Sequence, residues 1–87
     1  MPRASFEVRR RHYGERYWLV RHNDVYELDP VTDAIWVGCL ERLTIEQIVR
    51  RVAEKTGTPA ALALRTTVRA LRQLEQLGFV ELEEAQD

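Results

Sequence analysis

At Asp29-Pro30, inside the stretch VYELDPVTDAIWVGCL (residues 25–40), the apolar pattern changes period with no linker between the two halves. Before it, apolar and polar residues alternate, as in strands with one face buried. After it, apolar residues recur three and four apart, as on one side of a helix. The junction dipeptide explains the switch. Asp29 can accept a backbone N–H as N-cap, and Pro30 suits the first helical position, where its missing donor costs nothing. The chain must therefore place strands before this point and helices after it.

Upstream, Phe6 and Val8 alternate with Glu7 and Arg9, which predicts a strand over 6–10. Tyr17 to Arg21 and Val25 to Leu28 continue in β-branched and aromatic residues. Gly14 in HYGE offers a positive φ for the first turn, and Asn23-Asp24 forms the corner of the second. These features predict a three-stranded antiparallel meander.

Downstream, Ile35, Cys39 and Leu43 fall on or beside the buried face of the first helix, with Trp36 anchoring the same core. Thr44 and Gln47 form a capping box that opens a second helix, whose apolar face is Ile45, Ile48, Val49, Val52 and Ala53. It stops near Thr56-Gly57, where glycine can take the left-handed conformation. Thr58-Pro59 caps a long third helix that runs to about Leu77, with Gly78 as its stop and with the stripe Leu64, Val68, Leu71, Leu74 and Leu77. Phe79 to Leu82 alternates again, as a short last strand or an extended tail. The expected fold is α+β. It is a winged helix-turn-helix with an N-terminal three-stranded antiparallel sheet, three helices and a short C-terminal strand.

With 87 residues, the chain forms a single domain over 1–87, with an ordered core of about 5–82. A domain this small needs most of its apolar residues for its core, which leaves little for a deep active site. The single cysteine, Cys39, cannot pair within the chain, and the start MPRASFEVRRR lacks the apolar run of a secretory signal, so a cytoplasmic location is expected. No stretch is apolar for long enough to cross a bilayer.

The chemistry-bearing residues form no catalytic set. Cys39 has apolar helical neighbours and reads as core, while His12 and His22 lack the companions of a metal site. No phosphate-binding glycine loop, nucleophile elbow or zinc-protease motif occurs. The expectation is a protein without catalytic residues, metal or cofactor.

Two features remain. Arg65, Arg69 and Arg72 share one face of the third helix, a surface suited to carboxylates or phosphates or simply a solvated one. The last strand of the meander, with Val25, Tyr26, Glu27 and Leu28, can be an open edge, and it carries no proline to blunt it. An edge beside a long helix makes a groove that an extended peptide can enter as an added strand. Alternatively, Phe79 to Leu82 or a second copy covers that edge. DNA binding through the same arginines is the competing reading. The formal charge of −1, together with Glu75 and the absence of asparagine on that helix, weighs against it.

Val25-Tyr26-Glu27-Leu28-Asp29-Pro30, Ile35-Trp36, Ile48-Val49, then Val68, Leu71, Leu74 and Gly78-Phe79-Val80 carry a resemblance to the coenzyme PQQ synthesis protein D family over roughly residues 6–82. Its relatives include the recognition elements for precursors of ribosomally made, post-translationally modified peptides. The resemblance implies a winged-helix domain that holds a leader peptide between its third strand and third helix. Val25, Tyr26, Glu27 and Leu28 would then provide the strand edge, and Leu64, Arg65, Val68, Arg69 and Arg72 the helix wall. Asp29 stands where relatives commonly carry asparagine, and Thr67 near where they commonly carry aspartate. A stand-alone chain of this length resembles the discrete recognition proteins of lasso-peptide pathways. Those act beside a separate leader peptidase and a macrolactam-forming cyclase, so the implied partners are a precursor peptide and these enzymes, with no nucleic acid and no membrane.

Overall fold

The computed structural model describes residues 2–5, 7–22 and 24–82. Five strands and three helices follow one another: β1 (Pro2–Ala4), β2 (Arg9–Tyr13), β3 (Arg16–Arg21), β4 (Asp24–Leu28), α1 (Pro30–Leu40), α2 (Ile45–Thr56), α3 (Ala60–Gln76) and β5 (Val80–Leu82). The α+β class and the meander-then-helices order agree with the sequence.

The strand expected over 6–10 is displaced. A two-residue loop, Gly14-Glu15, closes the first hairpin with Tyr13 opposite Arg16, and pairing then runs back from Tyr13 to Arg9 opposite Val20. Gly14 has φ 63°, the freedom that such a loop needs at its first position. The turn thus sets the register, and the segment before Arg9 is left to bend, with the Val8 amide on the Ser5 carbonyl. Phe6 lies outside the described residues. In the second hairpin Arg21 pairs with Asp24, which places the corner one residue earlier than Asn23-Asp24. His22 has φ 52° there, and Asn23 is outside the described residues.

β1 joins the fold ahead of the expected start at residue 5. It pairs antiparallel with β5, Pro2 opposite Leu82 and Ala4 opposite Val80, and makes a separate two-stranded sheet. The three-stranded sheet has the order β2-β3-β4. The C-terminal strand therefore pairs with the N-terminus and not with β4, and among the described residues no strand lies beyond β4.

Helix starts follow their caps. Asp29 accepts the Thr32 amide at 2.7 Å, and both halves of the Thr44–Gln47 box form at 2.9 and 3.2 Å. α3 differs in detail. Pro59 itself occupies the cap position with no side-chain bond, and the Thr58 hydroxyl meets that of Thr56 at 2.8 Å. α1 ends at Leu40, so Leu43 lies past the helix and is half-buried, while Leu40 is exposed. At Gly38 the two helices approach so closely that a Cβ would stand 2.8 Å from Ile48 Cγ1 of α2.

The core gathers Leu19 and Leu28 of the meander, Ile35, Trp36 and Cys39 of α1, Ile48 and Val52 of α2, Leu71 and Leu74 of α3, and Phe79 and Val80. The buried face of α3 differs from the leucine stripe. Ala63, Thr67, Leu71 and Leu74 are buried, whereas Leu64 and Leu77 are exposed and Val68 is half-buried. Small side chains at Ala63 and Thr67 let neighbouring helices approach, which turns Leu64 outward. Thr67 Oγ1 and Trp36 Nε1 are buried polar atoms with no hydrogen-bond partner among the described residues. Arg10 ties the meander to α1, its Nε and Nη2 donating to the two Asp33 oxygens at 2.6 and 2.8 Å while its guanidinium lies 3.9 Å from the Tyr17 ring centroid.

Candidate functional site

β4 alternates between two faces. Leu28 is 4% exposed and Tyr26 half-buried against the core, whereas Val25 and Glu27 point away from it, Val25 at 62% exposure. The Leu28 side chain is therefore part of the core and not of the exposed edge. Glu27 is held by Arg16, whose Nη1 reaches Oε2 at 2.8 Å across the sheet.

The main chain of β4 follows the same alternation. A two-residue hairpin loop is closed by a hydrogen-bonded pair, here Arg21 and Asp24, and bonded and non-bonded pairs then alternate along an antiparallel ladder. Tyr26, opposite Leu19, bonds inward to β3. Val25, opposite Val20, and Glu27, opposite Trp18, direct their N–H and C=O groups to the free side. The open edge is thus a rail of two outward-facing residues.

On α3, Leu64, Arg65, Val68, Arg69 and Arg72 line one depression together with Gln73 and Gln76. All five residues expected of the helix wall are therefore on one surface. Leu64 also lines a second, more apolar depression with Ile45, Val49 and Ala53 of α2 and Ala60 and Ala61. Between the β4 rail and the α3 wall, no described β4 residue takes part in lining these two depressions.

Arg21, whose role no local sequence pattern signals, connects them. From the end of β3 its Nη1 donates to the Gly78 carbonyl at 2.8 Å and its Nη2 to the Leu77 carbonyl at 2.9 Å. Its guanidinium also stands 4.9 Å from the Phe79 ring centroid. The contact satisfies carbonyls at the end of α3 with a cation, favourable at a helix C-terminus. Gly78, at φ 80°, makes room, since a Cβ there would meet Arg21 Nη1 at 2.6 Å. Beside it the Tyr26 ring of β4 lies 5.8 Å from that of Phe79. Arg21 and this ring pair set the spacing between β4 and the end of α3.

Cys39 is 1% exposed, and burial pushes its thiol up to about 12, the opposite of what a nucleophile requires. Among the described residues no three His, Cys, Asp or Glu side chains are placed to hold a metal ion, and no helix is long and apolar enough to cross a membrane.

Comparison with curated proteins gives no match. Among solved structures, the chain is similar to TbiB1 in complex with the TbiA(beta) leader peptide, with a TM-score of 0.83 at 21% identity over 95% of this chain and 99% of that one. The sequence profile of the coenzyme PQQ synthesis protein D (PqqD) family matches residues 15–80, from the first hairpin through α3 to β5, and the chain belongs to that family.

Proposed function

We propose that this chain is a non-catalytic recognition domain that binds the leader segment of a ribosomally made precursor peptide. The leader enters as an antiparallel strand against β4, bonding to the main chain of Val25 and Glu27. Its side chains meet Leu64 and Val68, and its acidic residues meet Arg65, Arg69 and Arg72. The observation that carries this reading is the open edge of β4, left free because β5 pairs with β1. The likeness to TbiB1, whose structure holds a leader peptide, supports it. Main-chain bonds provide affinity for any extended chain, and the depressions on α3 provide the choice among sequences.

A domain that holds a leader without cleaving it must hand it on. The partners we propose are a separate leader peptidase and a macrolactam-forming cyclase of a lasso-peptide pathway, working in the cytoplasm. The test is a fluorescence-anisotropy titration against the labelled leader of the precursor encoded beside this chain, with a scrambled peptide and duplex DNA as controls. Saturable binding of the leader alone, weakening only mildly as salt rises, is the expected result. Binding of DNA alone, collapsing steeply with salt, would replace recognition of a peptide by recognition of phosphates.

A further inference from the structure

Arg3 of β1, Arg9 of β2 and Arg42 just past α1 line one notch of about 460 Å³ together with Ser5, a size typical of ligand sites. Leu40, 60% exposed, gives it an apolar wall. One carboxylate already enters it, since Glu81 of β5 meets Arg3 Nη2 at 3.4 Å. Arg9 and Arg42 have no ion pair or side-chain hydrogen bond among the described residues. Arg9 and Arg42 therefore bring to the notch two guanidinium groups that pair with no carboxylate among the described residues.

The backbone at Arg42 adds a second, independent observation. Its amide bonds to the Cys39 carbonyl at 3.1 Å, and the next amide, Leu43, bonds back to Gly38 at 2.9 Å, which terminates α1 in a Schellman turn. That turn needs a left-handed residue, and Arg42 takes φ 62°, a conformation that glycine adopts without cost. The chain thus places a strained arginine where its own turn geometry favours glycine, and the side chain lines the notch. Strain of this kind is retained where the side chain has work to do.

We propose that this notch is a second binding site, for the carboxylates of an acidic peptide segment on a partner protein. Glu81 illustrates how a carboxylate is received, and exposed Leu40 suits the apolar part of a peptide better than a free anion. β2 is the sheet edge opposite β4, and no notch residue lines the α3 depression, so this site is independent of leader binding.

The test is a titration of the isotope-labelled protein, followed by amide NMR shifts at low salt, with a blocked hexaglutamate peptide and with inorganic phosphate as probes. The expected result is saturable peptide shifts at Ser5, Leu40 and Arg42. Affinity read from these three amides falls about fivefold or more in Arg42→Gly and in Arg9→Gln. Arg42→Gly melts no lower than the parent, because glycine suits the turn, so its loss of binding is not a loss of fold. Equal peptide affinity in Arg42→Gly and the parent would overturn the proposal. Shifts confined to the arginines of α3, or phosphate producing the same shifts with the same affinity as the peptide, would overturn it as well.

Discussion

Proline at Val25 separates the rail from the rest of the fold. The Val25 amide faces the free side of β4, so replacing it leaves the β3–β4 ladder intact, and proline is tolerated on an edge strand. An added strand loses one N–H···O bond, worth about 0.5–1.5 kcal/mol net, and its own carbonyl goes unpaired in the groove. Together these amount to about 1–2 kcal/mol, or a roughly five- to thirtyfold rise in Kd. Tyr26→Pro is the contrasting variant, since it removes an inward bond to Leu19 and the ring packed on Phe79, and should lower the melting temperature by several degrees. Thermal melting and the leader titration, made on both variants, read the two effects apart. Unchanged leader affinity in a folded Val25→Pro protein refutes strand addition at this edge. A Tyr26→Pro protein as stable as the parent refutes the assignment of which amides face outward.

Arg21→Ala removes the two bonds to the end of α3; it should lower unfolding free energy in urea by about 1–2 kcal/mol and weaken leader binding although Arg21 lies on neither proposed surface, whereas unchanged affinity would show that it does not tie them together. Arg69→Glu or Arg72→Glu should weaken acidic leaders by about three- to tenfold and reduce the salt dependence while sparing neutral ones, and an equal loss for every peptide would indicate damage to the fold instead. The Cys39 thiol, held at about 12 in the folded chain against an ordinary value of 9.0, keeps its proton where the unfolded chain has lost it, so it contributes stability that is lost as pH rises from about 9 to about 12. Cys39→Ala should therefore be less stable than the parent at pH 7 because of the cavity it leaves, with the gap narrowing above pH 9 in urea titrations; a constant gap would contradict that linkage.

Much of this fold is legible in the sequence because the chemistry that sets it is local. Asp29-Pro30, the Thr44–Gln47 box and Gly57 name their helix boundaries, because each acts through atoms within three or four residues. The arginines of α3 are legible for the same reason, through helical spacing alone. What escapes reading depends on distant partners. Nothing in Pro-Arg-Ala marks β1 as a strand, and only its pairing with Val80 to Leu82 makes it one. Arg21 gains its role from carbonyls 56 and 57 residues away. Leucine is the more apolar residue, so Leu64 reads as core, yet the close approach of the helices selects Ala63 and Thr67 and leaves Leu64 facing solvent. The exposed leucine beside three arginines is the helix wall proposed for the leader.

If β4 receives a peptide strand through two outward-facing residues, amide hydrogen exchange followed residue by residue, with and without saturating leader, reads the docking at the bonds themselves. New protection is predicted at Val25 and Glu27, with the already bonded amide of Tyr26 little changed. Protection that appears on α3 while Val25 and Glu27 exchange as before would contradict strand addition.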